Sequence, residues 1–501
     1  MEHFKETVKP QTLLLNCLDG YPAYCTIPLY LYYGNADNSS QFMPQALLKD
    51  SFFIALEEFP FLAGHLRMKS GGTNAHIEVE PNNLNIPEYS EIDSDIHFSN
   101  LQASKFCWGA LPNEIAHPPY IARSDKSDII KLARISIVRL KDNSGLILLV
   151  NISHAVVDAH GCCAFLKHWA QICRKLASKA SDNESSNSIN SSSSSDISIQ
   201  HERNYLQSML PEKEQPLDQT TSTILENKTL TSSLLSKLSP RKRGAILDCG
   251  AAFISPESHI FYLSCQTLSA LKKAASANSA TTDLRISDND IITAILSMVF
   301  IQCSNSQTTK LKQKISSGLS KCLPFSKGST PKPYLLSIAV DCRFRLGNPE
   351  MTKYTGNCII TRVLSLSQQQ LLSAIDENTI AACAAYVRRS VNDTNSRYVR
   401  RYVSIGESAP DFFLRLIAYM IYVPTRFCVS NQARMDYYNI DFGSGFPVWI
   451  SPPKVYVPGY ASVLPTRTSD GGCYVYLSVK KDAMARVLQH TFWQSIAELV
   501  Y

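Results

Sequence analysis

No two cysteines of this sequence stand in a Cys-x-x-Cys pair, although fifteen are scattered from Cys17 to Cys473. Their odd number and loose spacing argue against a disulfide framework or a structural zinc site, and fit a reducing compartment. A long apolar run is missing as well. The opening stretch, MEHFKETVKPQTLLLNCLDG, carries polar residues where a secretory leader needs an apolar centre, so the expected location is cytoplasmic. The most apolar late segment, Phe412 to Val429, is broken by Arg415, Pro424 and Arg426; it reads as a core helix rather than a membrane span. Charge of one sign is scarce too. A net +6 is spread thinly, and the compact basic triplet Arg241-Lys242-Arg243 reads as a solvated loop, which excludes a nucleic-acid protein.

What is present describes an ordinary globular enzyme: 45% hydrophobic residues, 18% charged, 23 Tyr and 20 Phe in 501 residues. That length suggests two domains with an insertion. From Ala177 to Ile199 the text becomes Ser-rich and cannot bury enough apolar area to order itself; it reads as a flexible tether. The chain stays polar to about Gly250, then resumes strand-like text at HIFYLSC. Earlier, IIKLARISIVRL (129–140) and GLILLVNISHAV (145–156) read as strands of a hairpin turning at Lys141 to Ser144. The second is almost wholly apolar, the mark of a strand buried on both faces under helices. Phe165, Trp169, Ile172, Cys173 and Leu176 then repeat at helical spacing. SDNDIITAILSMVF (287–300) reads as a helix opened by a capping box of Ser287 and Asp290. LLSIAVDCRFRL (335–346) and YVYLSV (474–479) read as further strands, so the fold class is α/β or α+β.

The strongest local signal is Ser-His154-Ala-Val-Val-Asp158-Ala-His160-Gly161, placed where the buried strand ends. Strand ends in layered sheets open into ligand crevices. A histidine there titrates near neutrality and can take a proton from an attacking hydroxyl. The same residues could instead hold a metal, but no cysteine or glutamate completes a ligand set. Cys162 and Cys163 fall in the helix, where a small buried hydrophobe is the usual role.

The text Tyr438-Asn439-Ile440-Asp441-Phe442-Gly443-Ser444-Gly445 stands almost three hundred residues later. Together the two segments resemble the BAHD family of coenzyme A-dependent acyltransferases, defined by HxxxD near mid-chain and DFGWG towards the C-terminus. EFPFLAGHL (58–66), VDCRFRLGNPEMTKYTGN (340–357) and DGGCYVYLSVKKDAM (470–484) resemble further segments of that family. The departures are Ser444 for the motif tryptophan, Ala159 for the glycine after the aspartate, His65 for an arginine, and Ser430-Asn431-Gln432 for a Thr/Ser-Ser-Trp tripeptide.

The resemblance implies two similar chloramphenicol acetyltransferase-like domains, each a mixed sheet flanked by helices, with an active-site channel between them. The domains would be 1–177 with HxxxD and 251–501 with DFGSG, joined by a Ser-rich linker, 178–250. It implies a monomeric acyltransferase, outside the aminoacyl class, that moves an acyl group, acetyl first, from acyl-CoA to an alcohol or amine of a specialised metabolite. No tightly bound cofactor, metal or nucleic acid is expected. His154 would be the general base and Asp158 a structural residue paired with Arg343, Arg345 being second choice. Asp441, Gly443 and Gly445 would form a loop away from the chemistry, with the aspartate in a salt bridge. Ser430 is a candidate oxyanion contact, and His160 a bystander. Two other readings stay open: a condensation-type relative of peptide synthetases, and a binding homologue without catalysis.

Overall fold

The computed structural model describes residues 1–20, 25–67, 75–118, 129–182, 199–201, 256–304, 334–367, 371–408, 426–454, 458–468 and 470–501. In the first half the strands are β1 (Gln11–Leu14), β2 (Thr26–Gly34), β3 (His65–Arg67), β4 (His76–Val79), β5 (Glu88–Asp93), β6 (Ala133–Arg139) and β7 (Gly145–Ser153). The second half supplies β8 (Pro256–Leu263), β9 (Tyr334–Asp341), β10 (Ile359–Leu366), β11 (Arg426–Asn431), β12 (Trp449–Ser451), β13 (Tyr460–Leu464), β14 (Cys473–Lys480) and β15 (Glu498–Leu499). Among the described residues these form a five-stranded sheet ordered β12-β2-β7-β6-β5, a seven-stranded sheet ordered β10-β9-β11-β13-β14-β8-β15, and a small sheet, β1-β4-β3. The helices that matter below are α1 (Gln45–Ala55), α2 (Ala159–Asp182), α3 (Asp288–Ser304) and α4 (Glu377–Asp393).

The expected hairpin is there. β6 and β7 pair antiparallel, from Ala133 opposite Ile152 to Arg139 opposite Leu146. Asp142 and Asn143 take φ of +56° and +52° in the turn, a region these two residue types enter more readily than most. β7 lies in the middle of its sheet with all nine residues buried. Alternate side chains of a strand point to opposite faces, and this sorts its apolar residues. Leu146, Leu148, Val150 and Ile152 pack with Phe52 of α1 and Phe165, Trp169 and Cys173 of α2. Ile147 and Leu149 pack instead with Ile260, Leu464 and Tyr476 of the seven-stranded sheet and with Phe98 and Leu101. One face is therefore covered by helices, as expected, and the other largely by the second sheet.

Two readings of the sequence need correcting. Residues 426–429, expected as the end of a core helix, belong instead to β11, which runs parallel between β9 and β13. Burial alternates there, Phe427 and Val429 inward against half-exposed Cys428 and Ser430, so the period is that of a strand. The preceding residues, 409–425, lie outside the described ones. The Ser-rich tether begins later than expected, because α2 runs on to Asp182. Most of the linker, with Arg241-Lys242-Arg243, also lies outside.

The helix expected over 287–300 is α3, and its capping box is half formed. Asp290 accepts from the backbone N–H and from the hydroxyl of Ser287, each at 2.7 Å. The serine hydroxyl thus serves the carboxylate, which Arg388 of α4 also engages through an ion pair.

The chain also crosses back. β12 adds to the edge of the five-stranded sheet, Trp449 opposite Tyr32, and Tyr437, Tyr438, Ile440, Phe442 and Ile450 join the first-half core. No helix among the described residues is long and apolar enough to cross a membrane.

Candidate active site

β7 ends at Ser153, and the chain turns at once into α2. The N–H of His154 donates to the carbonyl of Cys25 at 2.9 Å, which carries the strand pairing one step further and pins the turn. Asp158 then caps the helix: its Oδ1 accepts from Gly161 N at 3.1 Å, while its carbonyl accepts the first helical bond, from Cys162 N, at 2.8 Å. The spacing of the motif follows from this arrangement. Three residues, Ala155 to Val157, carry the chain from the histidine just past the strand end to the cap, leaving the histidine half-buried and the aspartate inside.

Asp158 is almost fully buried and meets an equally buried Arg343 at 2.9 Å. Arg343 belongs to the second half, just beyond β9. Its Nη2 also donates to Gly356 O at 2.7 Å, its Nε to Tyr354 O at 2.9 Å and its Nη1 to Asp341 Oδ1 at 3.2 Å. Cys358 N completes the aspartate's shell at 3.1 Å. Burial alone would raise the Asp158 carboxyl pKa, but the guanidinium and the amides of Gly161 and Cys358 outweigh it and hold the group below its ordinary value. Arg345 goes elsewhere, donating to the carbonyls of Val391 and Thr394 at the end of α4. Arg343 is therefore the partner.

His154 is half-buried, with Nδ1 enclosed and Nε2 left as the nitrogen that can meet a substrate. Burial lowers its pKa below the ordinary 6.5; the nearby Asp158 charge, the carbonyls of His154 and Val157, and Asn357 oppose that shift without reversing it. The ring is thus neutral near pH 7 and able to accept a proton. His160 points away, with Nε2 at 3.0 Å from Thr352 O.

Gly161 explains how the halves fit so closely. A Cβ there would stand 1.9 Å from the carbonyl oxygen of Thr355, so only glycine lets the first turn of α2 press on the segment 354–358. Gly161→Ala is expected to destabilise the fold by about 3 kcal/mol, since overpacking against backbone has no side chain to yield. Urea unfolding midpoints check this, and an unchanged midpoint would show that the contact is not so tight.

The other expected residues fall into place less directly. Gly443 and Gly445 take φ of +100° and +98°. Asp441 caps this loop, accepting from Gly443 N at 2.7 Å and Gly445 N at 3.0 Å. Among the described residues these bonds take the place of the expected salt bridge, and the Arg174 guanidinium donates to the main-chain carbonyl of Asp441. A carboxylate placed beside converging amides is already satisfied. Ser444, in place of tryptophan, accepts from Met43 N at 3.0 Å and ties the loop to the start of α1. Ser430 sits half-buried on β11 opposite Ser462 and is not bonded to His154, Asp158 or Arg343. In the tripeptide, Asn431 Nδ2 donates to Asn289 Oδ1 at 2.7 Å, and Gln432 Oε1 accepts from Tyr437 at 3.3 Å.

Two residues were given no role from sequence. Asn357 Nδ2 donates to the carbonyl of His154 at 2.8 Å and to Oδ1 of Asp19 at 2.9 Å. Asp19 is fully buried and also accepts from Asn16 N at 3.1 Å. Asn357 closes the Tyr-x-Gly-Asn stretch, which was the available signal; nothing in the sequence around Asp19 points to it.

Comparison with known proteins bears on the family and the fold. The model of the Transferase family matches residues 5–492. Agmatine hydroxycinnamoyltransferase 1 of Oryza sativa subsp. japonica is 28% identical over 147 residues, 28% of this chain and 32% of that protein. That match spans about a third of the plant protein's length. The O-acetyltransferase ptmV of Penicillium ochrochloron is 21% identical over 481 residues, 87% of each chain. The crystal structure of F. graminearum TRI101 complexed with ethyl coenzyme A superposes with a TM-score of 0.71 at 16% identity, covering 98% of this chain and all of that one. Matched by the family model over nearly its whole length, and sharing this fold, the chain belongs to the Transferase family, that of the BAHD acyltransferases.

Proposed function

We propose that this protein is an acyltransferase that moves an acyl group, acetyl first, from a coenzyme A thioester to an alcohol or amine of a specialised metabolite. The observation that carries the reading is His154, a neutral imidazole with one open nitrogen at the end of a buried strand, clamped in place by the Asp158–Arg343 pair. The names of the rice and Penicillium relatives support acyl transfer, and the latter, matched over most of its length, supports an acetyl donor and an oxygen acceptor.

The acceptor hydroxyl gives its proton to Nε2 of His154 as its oxygen attacks the thioester carbonyl carbon. The tetrahedral intermediate collapses by breaking the carbon–sulfur bond, and the imidazolium returns the proton to the departing thiolate. No covalent bond to the protein forms. Ser430 is the candidate donor to the oxyanion, and the units 1–177 and 251–501, joined by 178–250, would face each other across the site.

The test is release of coenzyme A thiol from acetyl-CoA in the presence of pooled alcohols and amines, comparing wild type with folded His154→Ala. Release lost in the variant supports the reading; equal release from both refutes His154 as base. Silence from both with acetyl and longer donors favours a binding homologue. The pH profile gives a further prediction. A base with a lowered pKa stays neutral further into acid, so the acidic limb of kcat/KM should fall below pH 6.5, the ordinary histidine value. A limb above that value would contradict the assignment.

A further inference from the structure

Residues 199–201 lie between the two halves in sequence and touch both of them in space. The backbone of Gln200 pairs with the second half: its N–H donates to Lys353 O at 3.0 Å and its carbonyl accepts from Thr355 N at 3.0 Å, making a parallel bridge opposite Tyr354. In an extended chain, side chains two apart share a face. Ile199 and His201 accordingly both meet the first half, Ile199 against its core and His201 against Phe59 and Phe61, with ring centroids 4.7 Å and 4.9 Å away.

His201 also bonds to each half. Its Nε2 lies 2.6 Å from Glu58 O and its Nδ1 2.6 Å from Thr355 Oγ1. A carbonyl only accepts, so Nε2 carries a proton, and in the neutral ring Nδ1 accepts from the Thr355 hydroxyl. Thr355 is fully buried, so water does not compete for that bond. The same residue supplies the carbonyl on which the first turn of α2 rests at Gly161. Its neighbours hold the site: Tyr354 O and Gly356 O accept from Arg343, Cys358 N donates to Asp158, and Asn357 Nδ2 donates to the carbonyl of His154.

We propose that His201 is a positioning residue: it bolts residues 199–201 across both halves, seats the segment 353–358 on α2, and so keeps the Asp158–Arg343 pair and the His154 backbone in register for acyl transfer. The kinetic consequence rests on the reading of His154 as general base; the seating does not.

The experiment is amide hydrogen exchange of the full chain beside steady-state kinetics, on wild type, His201→Phe, Thr355→Val and Thr355→Ser. Phenylalanine keeps a ring against Phe59 and Phe61 and removes both hydrogen bonds. Valine keeps the shape of threonine without its hydroxyl, and serine keeps the hydroxyl. In His201→Phe the Gln200 and Thr355 amides should exchange about tenfold faster, and the Cys358 amide should loosen with them, while the amides of β7 keep wild-type rates. At a temperature where every variant is folded, kcat should fall on the order of 10-fold, since a misplacement of about 1 Å can cost 10²-fold. Thr355→Val should fall with it and Thr355→Ser should not. The double variant His201→Phe/Thr355→Val should be no slower than either single change, as the two ends of one bond behave. A purely structural role would lower the melting temperature and leave kcat alone, which overturns the proposal. So does a folded His201→Phe with wild-type exchange at Thr355 and Cys358. Wild-type Gln200 and Thr355 amides that exchange as fast as those of an unstructured chain overturn it without any variant. If wild type transfers no acyl group yet exchange at Cys358 responds as stated, the functional reading fails while the seating stands.

Discussion

His154→Ala is expected to lower kcat by about 10²- to 10⁴-fold, the usual contribution of a general base, while the chain stays folded and still binds acyl-CoA. The fold should tolerate the change because the side chain is only half-buried. The contacts that pin this turn come from the backbone, His154 N to Cys25 O and Asn357 Nδ2 to His154 O, and alanine keeps both. Steady-state kinetics beside thermal unfolding separates the effects. A kcat within a few-fold of wild type would remove His154 from the chemistry.

Asp158→Ala should behave in the opposite way and lose stability first. Removing one member of a buried ion pair leaves the other uncompensated, at a cost of about 3–5 kcal/mol. Arg343, with no exposed side-chain surface, would keep only Asp341 as a counter-charge. The cap of α2 would be lost as well, another ~1 kcal/mol. Most domains are stable by only about 5–15 kcal/mol, so little folded protein should remain at 37 °C. A variant that is soluble, as stable as wild type and merely slow would refute the clamp.

The pH dependence of the wild-type pair has a definite sign. Asp158 has a folded pKa below its ordinary 3.8, so its stabilisation is complete above that value and is lost as pH falls through the depressed one. Wild type should therefore gain an acid-induced loss of stability below about pH 3.8 that Asp158→Ala lacks.

How far the sequence carried these conclusions can be traced through single residues. His154 and Asp158 stood out because an almost wholly apolar strand ended just before them, and burial on both faces is written in that run. Arg343 was named through family resemblance; spacing could not have paired residues 185 positions apart. Asn357 and Asp19 stayed hidden because their contact joins residues 338 positions apart and uses residue types found in any loop. β11 was misread because a short apolar run suits a buried helix and a buried strand equally, and only its neighbours in the sheet decide. The loop at Asp441 was placed correctly as a turn of left-handed glycines, but composition cannot say whether an aspartate will find a cation or amides first.

The return of residues 449–451 to the first sheet bears on synthesis. Until β12 leaves the ribosome, the outer edge of β2, including Tyr30 to Tyr32, has no partner strand from its own chain. At translation speeds of about 5–20 residues per second, that edge waits on the order of tens of seconds. An unpaired edge recruits other chains. Nascent or prematurely terminated copies ending before Trp449 should therefore depend on chaperones far more than the finished protein does.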